Sequence, residues 1–208
     1  MSLVSIDEMI AKGMGRAMAV GEFSTGIVGG GAGTVFDQDQ PEFAVGVPAG
    51  LFIRPIYIAV QVQPGAATTD ADETEILIAV DSLGLWRGDG TLTQETPSNL
   101  RSDLDKGSAC RTGSAFTGNM TTTPGYAVSA AAAPVLDIEL AREVQTLELA
   151  TAAGQNLYLV RLTYQPKYPP ILVGPCTLLG YWGGTVATVG GFAQVQWVEG
   201  PVTMLPAL

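Results

Sequence analysis

Histidine is missing from this 208-residue chain altogether. That absence removes Ser-His-Asp and Cys-His machinery and every metal site that needs an imidazole. Lysine is nearly missing too, at Lys12, Lys106 and Lys167 only, and the seven arginines are scattered from Arg16 to Arg161. Twenty acidic residues against ten basic ones leave a net charge of −10 and no basic stripe, which argues against nucleic acid as a partner. The two cysteines, Cys110 and Cys176, stand far apart and outside any CxxC spacing, so two unrelated buried thiols are favoured over a disulfide. No apolar run reaches the ~18 residues that a membrane-spanning helix requires, so no membrane partner is expected. Residues 1–10 carry acids and no basic start ahead of an apolar run. No signal peptide is therefore expected, and the chain should be made and folded in a cytoplasm.

Charge itself is in short supply. Only 14% of residues are charged, against roughly 25% in an average soluble domain, so Gly, Ala, Thr, Ser, Gln and Pro must cover most of the surface. Interface centres are depleted in charge, and such a surface points to an obligate homo-oligomer. The 47% apolar content is ample for a core, and the length suits one β domain with a terminal arm.

Two periodicities divide what is there. Ser5 followed by Glu8 fits a capping box. Ile6, Ile10, Met14 and Met18 then recur every four residues, as one apolar stripe of a short helix. Gly13 and Gly15 each weaken such a helix by roughly 1 kcal/mol relative to Ala, so it is expected to dock on its own domain or on a neighbouring subunit. From Gly26 onward the period is two. Ile56, Ile58, Val60 and Val62 alternate with polar or small residues, and Ile76, Ile78 and Val80 repeat the device. Even positions from Asn156 to Tyr164 line another strand. Cys176 to Trp182, Thr185 to Val189 and Phe192 to Glu199 follow, separated by the turn dipeptides Gly183-Gly184 and Gly190-Gly191. Residues 135–149 fit either period, and their neighbours favour strands. Residues 99–134, rich in Ser, Thr, Gly and Ala, read as a long surface excursion. The sum is an all-β fold, a jelly roll or β-sandwich. Residues 1–36 would be the N-terminal helix and glycine-rich arm, and residues 37–208 the β domain.

The motifs that suggest chemistry each have a plainer explanation. Gly29 to Thr34 resembles a phosphate-binding turn, but Thr34 stands where the third glycine belongs and no helix follows. Asp70 to Glu75 resembles half a calcium loop, but Glu75 holds the place of its turn glycine and Asp81 that of its bidentate Glu, so a solvated acidic turn is expected. Arg87-Gly88-Asp89-Gly90 contains the adhesion tripeptide, but three residues recur by chance and Asp89-Gly90 is an ordinary hairpin turn. Glu139, Glu143, Glu148 and Glu199 are the carboxylates a glycoside hydrolase would have to pair across a sugar. Trp86, Trp182 and Trp197 would suit a carbohydrate platform, although core packing explains them more simply. No catalytic, cofactor-binding or metal-ligating residue is assigned, and no enzyme activity is expected.

The short helix and glycine-rich arm from Ile6 to Phe36, the small-residue strands, and the closing segments Ile171-Leu172-Val173-Gly174-Pro175-Cys176 and Gly180-Tyr181-Trp182-Gly183-Gly184 give the chain a style of its own. In style and composition, over its whole length, it resembles the structural proteins of tailed-bacteriophage virions, most of all their jelly-roll head decoration, or cement, proteins. That resemblance implies a homotrimer on the capsid exterior, binding the major capsid protein and reinforcing the shell. It also implies that the arm from Ser2 to Phe36 reaches a neighbouring subunit or the shell, but it transfers no specific contact residue. From the apolar stripe and the aromatics of the arm, Ile6, Ile10, Met14, Met18, Phe23 and Phe36 are the expected assembly interface. A host-recognition or tail-associated binding module, with loops near Arg87 or Ser108 to Pro124, and a major capsid subunit are the alternatives.

Overall fold

The computed structural model describes residues 4–21, 27–28, 41–63, 72–84, 93–114, 134–147, 159–184 and 190–206. A helix α1 (Ile6–Ala11) leads into β1 (Gly15–Val20), β2 (Ile27–Val28), β3 (Phe43–Val47), β4 (Leu51–Gln63) and β5 (Asp72–Asp81). Then come β6 (Thr93–Gln94), β7 (Ser98–Asn99), β8 (Arg111–Ser114), β9 (Ile138–Leu147), β10 (Val160–Tyr164), β11 (Leu172–Val173), β12 (Cys176–Gly184) and β13 (Gly190–Pro201). Two antiparallel sheets result. The first runs β10-β4-β13-β1-β7, with β11 added to β4 and β2 to β13; the second runs β6-β8-β3-β12-β5-β9. Over the described residues the protein is a mainly β, two-sheet sandwich with one short α-helix near its N-terminal end.

Period-two alternation builds the interior. Ile58, Val60 and Val62 of β4 and Ala193, Val195 and Trp197 of β13 face Ile76, Ile78 and Val80 of β5 and Cys176, Leu178 and Trp182 of β12, in one continuous core. At Gly180 a Cβ would stand 1.9 Å from Phe43 Cε1, so the ring of Phe43 occupies the space that only glycine leaves open. β5 and β12 are buried on their far face as well, where Ala44, Leu77, Ala79, Leu179 and Tyr181 form a second apolar layer against Leu136. Burial on both faces explains why Ile76 to Val80 is an unbroken apolar run. Residues 138–147 are strand β9, as their neighbours suggested.

The helix is shorter than the four-residue stripe implies. Ser5 caps it, accepting from Glu8 N at 3.1 Å, but the Glu8 carboxylate pairs with Lys12 at 2.7 Å and does not complete the box. Gly13 ends the helix with a left-handed φ of 72°, while Met14 N returns to Met9 O at 2.9 Å. Met14 and Met18 are therefore off the helix, and Met18 points into the core between the sheets from β1. A spacing of four is one helical turn but also an even step along a strand, so the stripe continued without the helix. β1 itself pairs with β13 on one side and β7 on the other, so residues 15–20 are an interior strand of the first sheet. The helix docks on its own domain: Met9 is buried with Phe52 and Val198, and Ile6, Ile10 and Met14 pack around them.

Candidate functional site

The core rows of the first sheet end in charge. Inward positions run Val20, Met18, Arg16 on β1 and Ala193, Val195, Trp197, Glu199 on β13, with Arg16 opposite Trp197. Arg16 and Glu199 are 1% and 6% exposed, and Arg16 Nη2 lies 3.1 Å from Glu199 Oε1. Arg16 Nη1 donates to the carbonyls of Gly13 and Gly15, both at 2.8 Å, and Nη2 donates to Gly107 O at 2.9 Å. Glu199 accepts from Ser108 Oγ at 2.6 Å, Ala109 N at 3.0 Å and Trp197 Nε1 at 3.1 Å. Burial pushes the neighbouring Cys110 thiol well above its ordinary pKa, with the Glu199 carboxylate adding to the rise. Cys176 is pushed up to about 12, by burial first and the charge of Asp81 second. Both cysteines are buried and free.

This cluster is a clamp. A carboxylate neutralised by a guanidinium and holding three further donors is committed to structure, and the thiols beside it stay protonated. It ties the segment leading into β8, in the second sheet, to the ends of β1 and β13 in the first. Asn99 Nδ2 donating to Gly13 O at 3.1 Å and Arg101 Nη1 donating to Ala11 O at 2.5 Å extend the tie to the end of α1. The signal was present in the sequence: Glu199 falls on the inward row of a strand whose other inward residues are apolar. Its partner lies almost a full chain length away.

Among the described residues the other carboxylates named above are engaged or exposed on strands. Glu139 on β9 pairs with Arg142, which also contacts Glu75 of β5, while Glu143 is exposed. Glu75 is a buried strand residue and Asp81 is buried at the end of β5, accepting from Leu83 N at 3.1 Å, so neither belongs to a calcium loop. Trp182 and Trp197 are fully buried core residues and offer no platform to a sugar. Glu148, Trp86, Gly29 to Thr34 and Arg87 to Asp89 lie outside the described residues, as do Phe23 and Phe36. Of the remaining residues assigned to an assembly interface, Met18 is 2% exposed inside the core, where no partner can reach it. Ile6, Ile10 and Met14 are engaged at least in part with the first sheet.

The surface offers different residues. Leu83, Val135, Ile138, Val144, Tyr168, Ile171 and Val173 are large apolar side chains left exposed, Tyr168 to 79%. Several belong to one neighbourhood. Ser82 donates to Asp137 through its hydroxyl and through its N–H at 2.9 Å, bringing Leu83 beside Val135 and Ile138. A Cβ on Gly84 would stand 2.9 Å from the Pro175 backbone, so the same turn lies against the segment between β11 and β12. Lys167 Nζ sits 5.3 Å from the ring centre of Tyr168. Among the described residues no group of three or more Cys, Asp or Glu side chains is placed to hold a metal, and no helix is long and apolar enough to cross a membrane. No family model, curated protein or solved structure matches the chain.

Proposed function

We propose that this protein is a virion structural protein, a head decoration or cement protein that binds the major capsid shell from outside and stabilises it as a homo-oligomer. The observation that carries the proposal is the set of exposed apolar side chains from Leu83 to Val173 on a charge-poor sandwich. Scattered exposed apolar residues are ordinary, but neighbouring ones at the meeting of three chain segments favour contact with another macromolecule. The β-sandwich supports the same reading, since its rigid sheets can present a broad surface without any movement of the backbone. Activity in this proposal is adhesion: apolar area buried against the shell and between subunits offsets the loss of subunit freedom.

The test is localisation on purified virions of the phage that encodes the chain. Gold-labelled antibody should decorate the outside of the head, and shells lacking the protein should lose integrity at lower temperature. Label on the tail would replace this reading with the tail-associated module. Absence of the chain from virions would overturn it.

A further inference from the structure

Between β10 and β11 the chain leaves the edge of β4 and returns to it. Tyr164 stands opposite Ile58 and Leu172 opposite Ile53, so the chain advances eight residues while β4 advances five. The segment from Gln165 to Ile171 thus holds three residues more than a straight strand needs. Pro166, Pro169 and Pro170 fix three of its seven φ angles, and Pro169 restricts the backbone of Tyr168 before it. Pro169 is buried and Leu172 belongs to the core, so the loop is anchored just beyond its middle. At that middle Tyr168 is 79% exposed, more than any other large apolar side chain described.

Ile171 and Val173 flank the buried Leu172 and so face away from the core, both exposed. Lys167 Nζ lies over the Tyr168 ring, 5.3 Å from its centre, and has no ion-pair partner among the described residues. A proline-restricted backbone, a side chain with two torsions and a cation resting on one ring face leave little freedom to lose on binding. That economy is what makes an exposed aromatic an anchor. The neighbours decide the class of partner. A sugar stacks on an open ring face beside hydrogen-bonding groups, whereas here Lys167 covers one face and the flanking residues are branched aliphatics. A protein pocket takes the ring and buries Ile171 and Val173 around it. Among the described residues the other exposed large apolar side chains, Leu83, Val135, Ile138 and Val144, stand on a turn or along the edge strand β9. A second copy would therefore meet this knob with further knobs, and a different protein is favoured.

We infer that Tyr168 is the anchor by which the protein docks on the capsid shell, its ring entering an apolar pocket of the shell subunit. Ile171 and Val173 close the rim of that pocket, and the Lys167 ammonium meets an acidic side chain of the shell at its mouth. The inference rests on the decoration reading proposed above and names the residues that make its contact.

Phage heads assembled without this chain are the probe, and co-sedimentation of the fluorescently labelled protein gives the dissociation constant. Tyr168→Ala should weaken binding about thirty-fold or more. Tyr168→Phe, which keeps the ring, should weaken it by no more than about three-fold. Lys167→Glu should weaken it about ten-fold and abolish the loss of affinity that salt causes in the wild type. Both positions are exposed, so urea midpoints should stay at the wild-type value. A Tyr168→Ala protein that binds heads as tightly as the wild type would overturn the anchor and leave the decoration reading standing. A wild type that binds no heads would overturn both. A native mass that falls in Tyr168→Ala would move the tyrosine to a contact between copies of this chain, and a host polysaccharide bound by the wild type alone would make its partner a glycan. Either of these results would overturn the shell pocket.

Discussion

Removing the Glu199 carboxylate isolates what the buried clamp contributes. Glu199→Ala leaves the Arg16 guanidinium buried without its counter-charge and strips an acceptor from Ser108 Oγ, Ala109 N and Trp197 Nε1. Breaking a buried pair on one side costs about 3–5 kcal/mol, and each orphaned buried donor about 1–3 kcal/mol before relaxation. These costs overlap, since Arg16 keeps three carbonyl partners and the Ser108 hydroxyl can rotate. The expected loss is about 4 kcal/mol, a large share of the ~5–15 kcal/mol that holds a typical domain. Urea unfolding followed by far-ultraviolet circular dichroism, at matched protein concentration, measures it. Arg16→Met/Glu199→Leu removes both charges and should cost less than the sum of its single variants by about 2 kcal/mol. A Glu199→Ala loss below about 1 kcal/mol, or strict additivity in the double variant, would refute the clamp.

Deleting residues 1–25 should abolish folding, because it removes β1 from between β13 and β7; deleting only 1–12 should leave a weakened sandwich, and a thermal melt distinguishes the two. Gly180→Ala should destabilise by about 1–3 kcal/mol or more through collision with Phe43, and Phe43→Leu in the same chain should recover part of the loss in urea unfolding. Cys110 and Cys176 should resist maleimide at pH 8 in the folded protein and react fully in urea, read by mass spectrometry, since burial raises both thiols above their ordinary pKa. Ser82 holds the Asp137 carboxyl below its ordinary pKa, through its hydroxyl first and its N–H second. That contribution is present above the unfolded value of about 4 and lost as pH falls through the lowered folded value. Asp137→Asn should therefore flatten the acid side of the stability curve between pH 5 and pH 3, measured as urea midpoints.

Much of the strand content was legible because alternation is a local property. Ile58 to Val62 and Ala193 to Trp197 each carry their facing in the order of their residues, whereas the unbroken apolar run Ile76 to Val80 marks a strand without showing which residues face which layer. Places where one local rule has two solutions were less legible. The Ile6-Ile10-Met14-Met18 spacing satisfied a helix and a strand alike, and the left-handed backbone at Gly13 decided where one became the other. For the same reason Met18, expected at an assembly interface, lies in the core.

Composition alone determined that this chain has no histidine chemistry, little charge and enough apolar mass for a sandwich, because those are sums over residues and need no geometry. Pairing decided the rest. Arg16 meets Glu199 only once β1 and β13 lie in register and the segment before β8 closes over them. These contacts join residues distant in the chain, and their positions follow from the free energy of burying two whole sheets against each other. No short window of sequence contains that quantity.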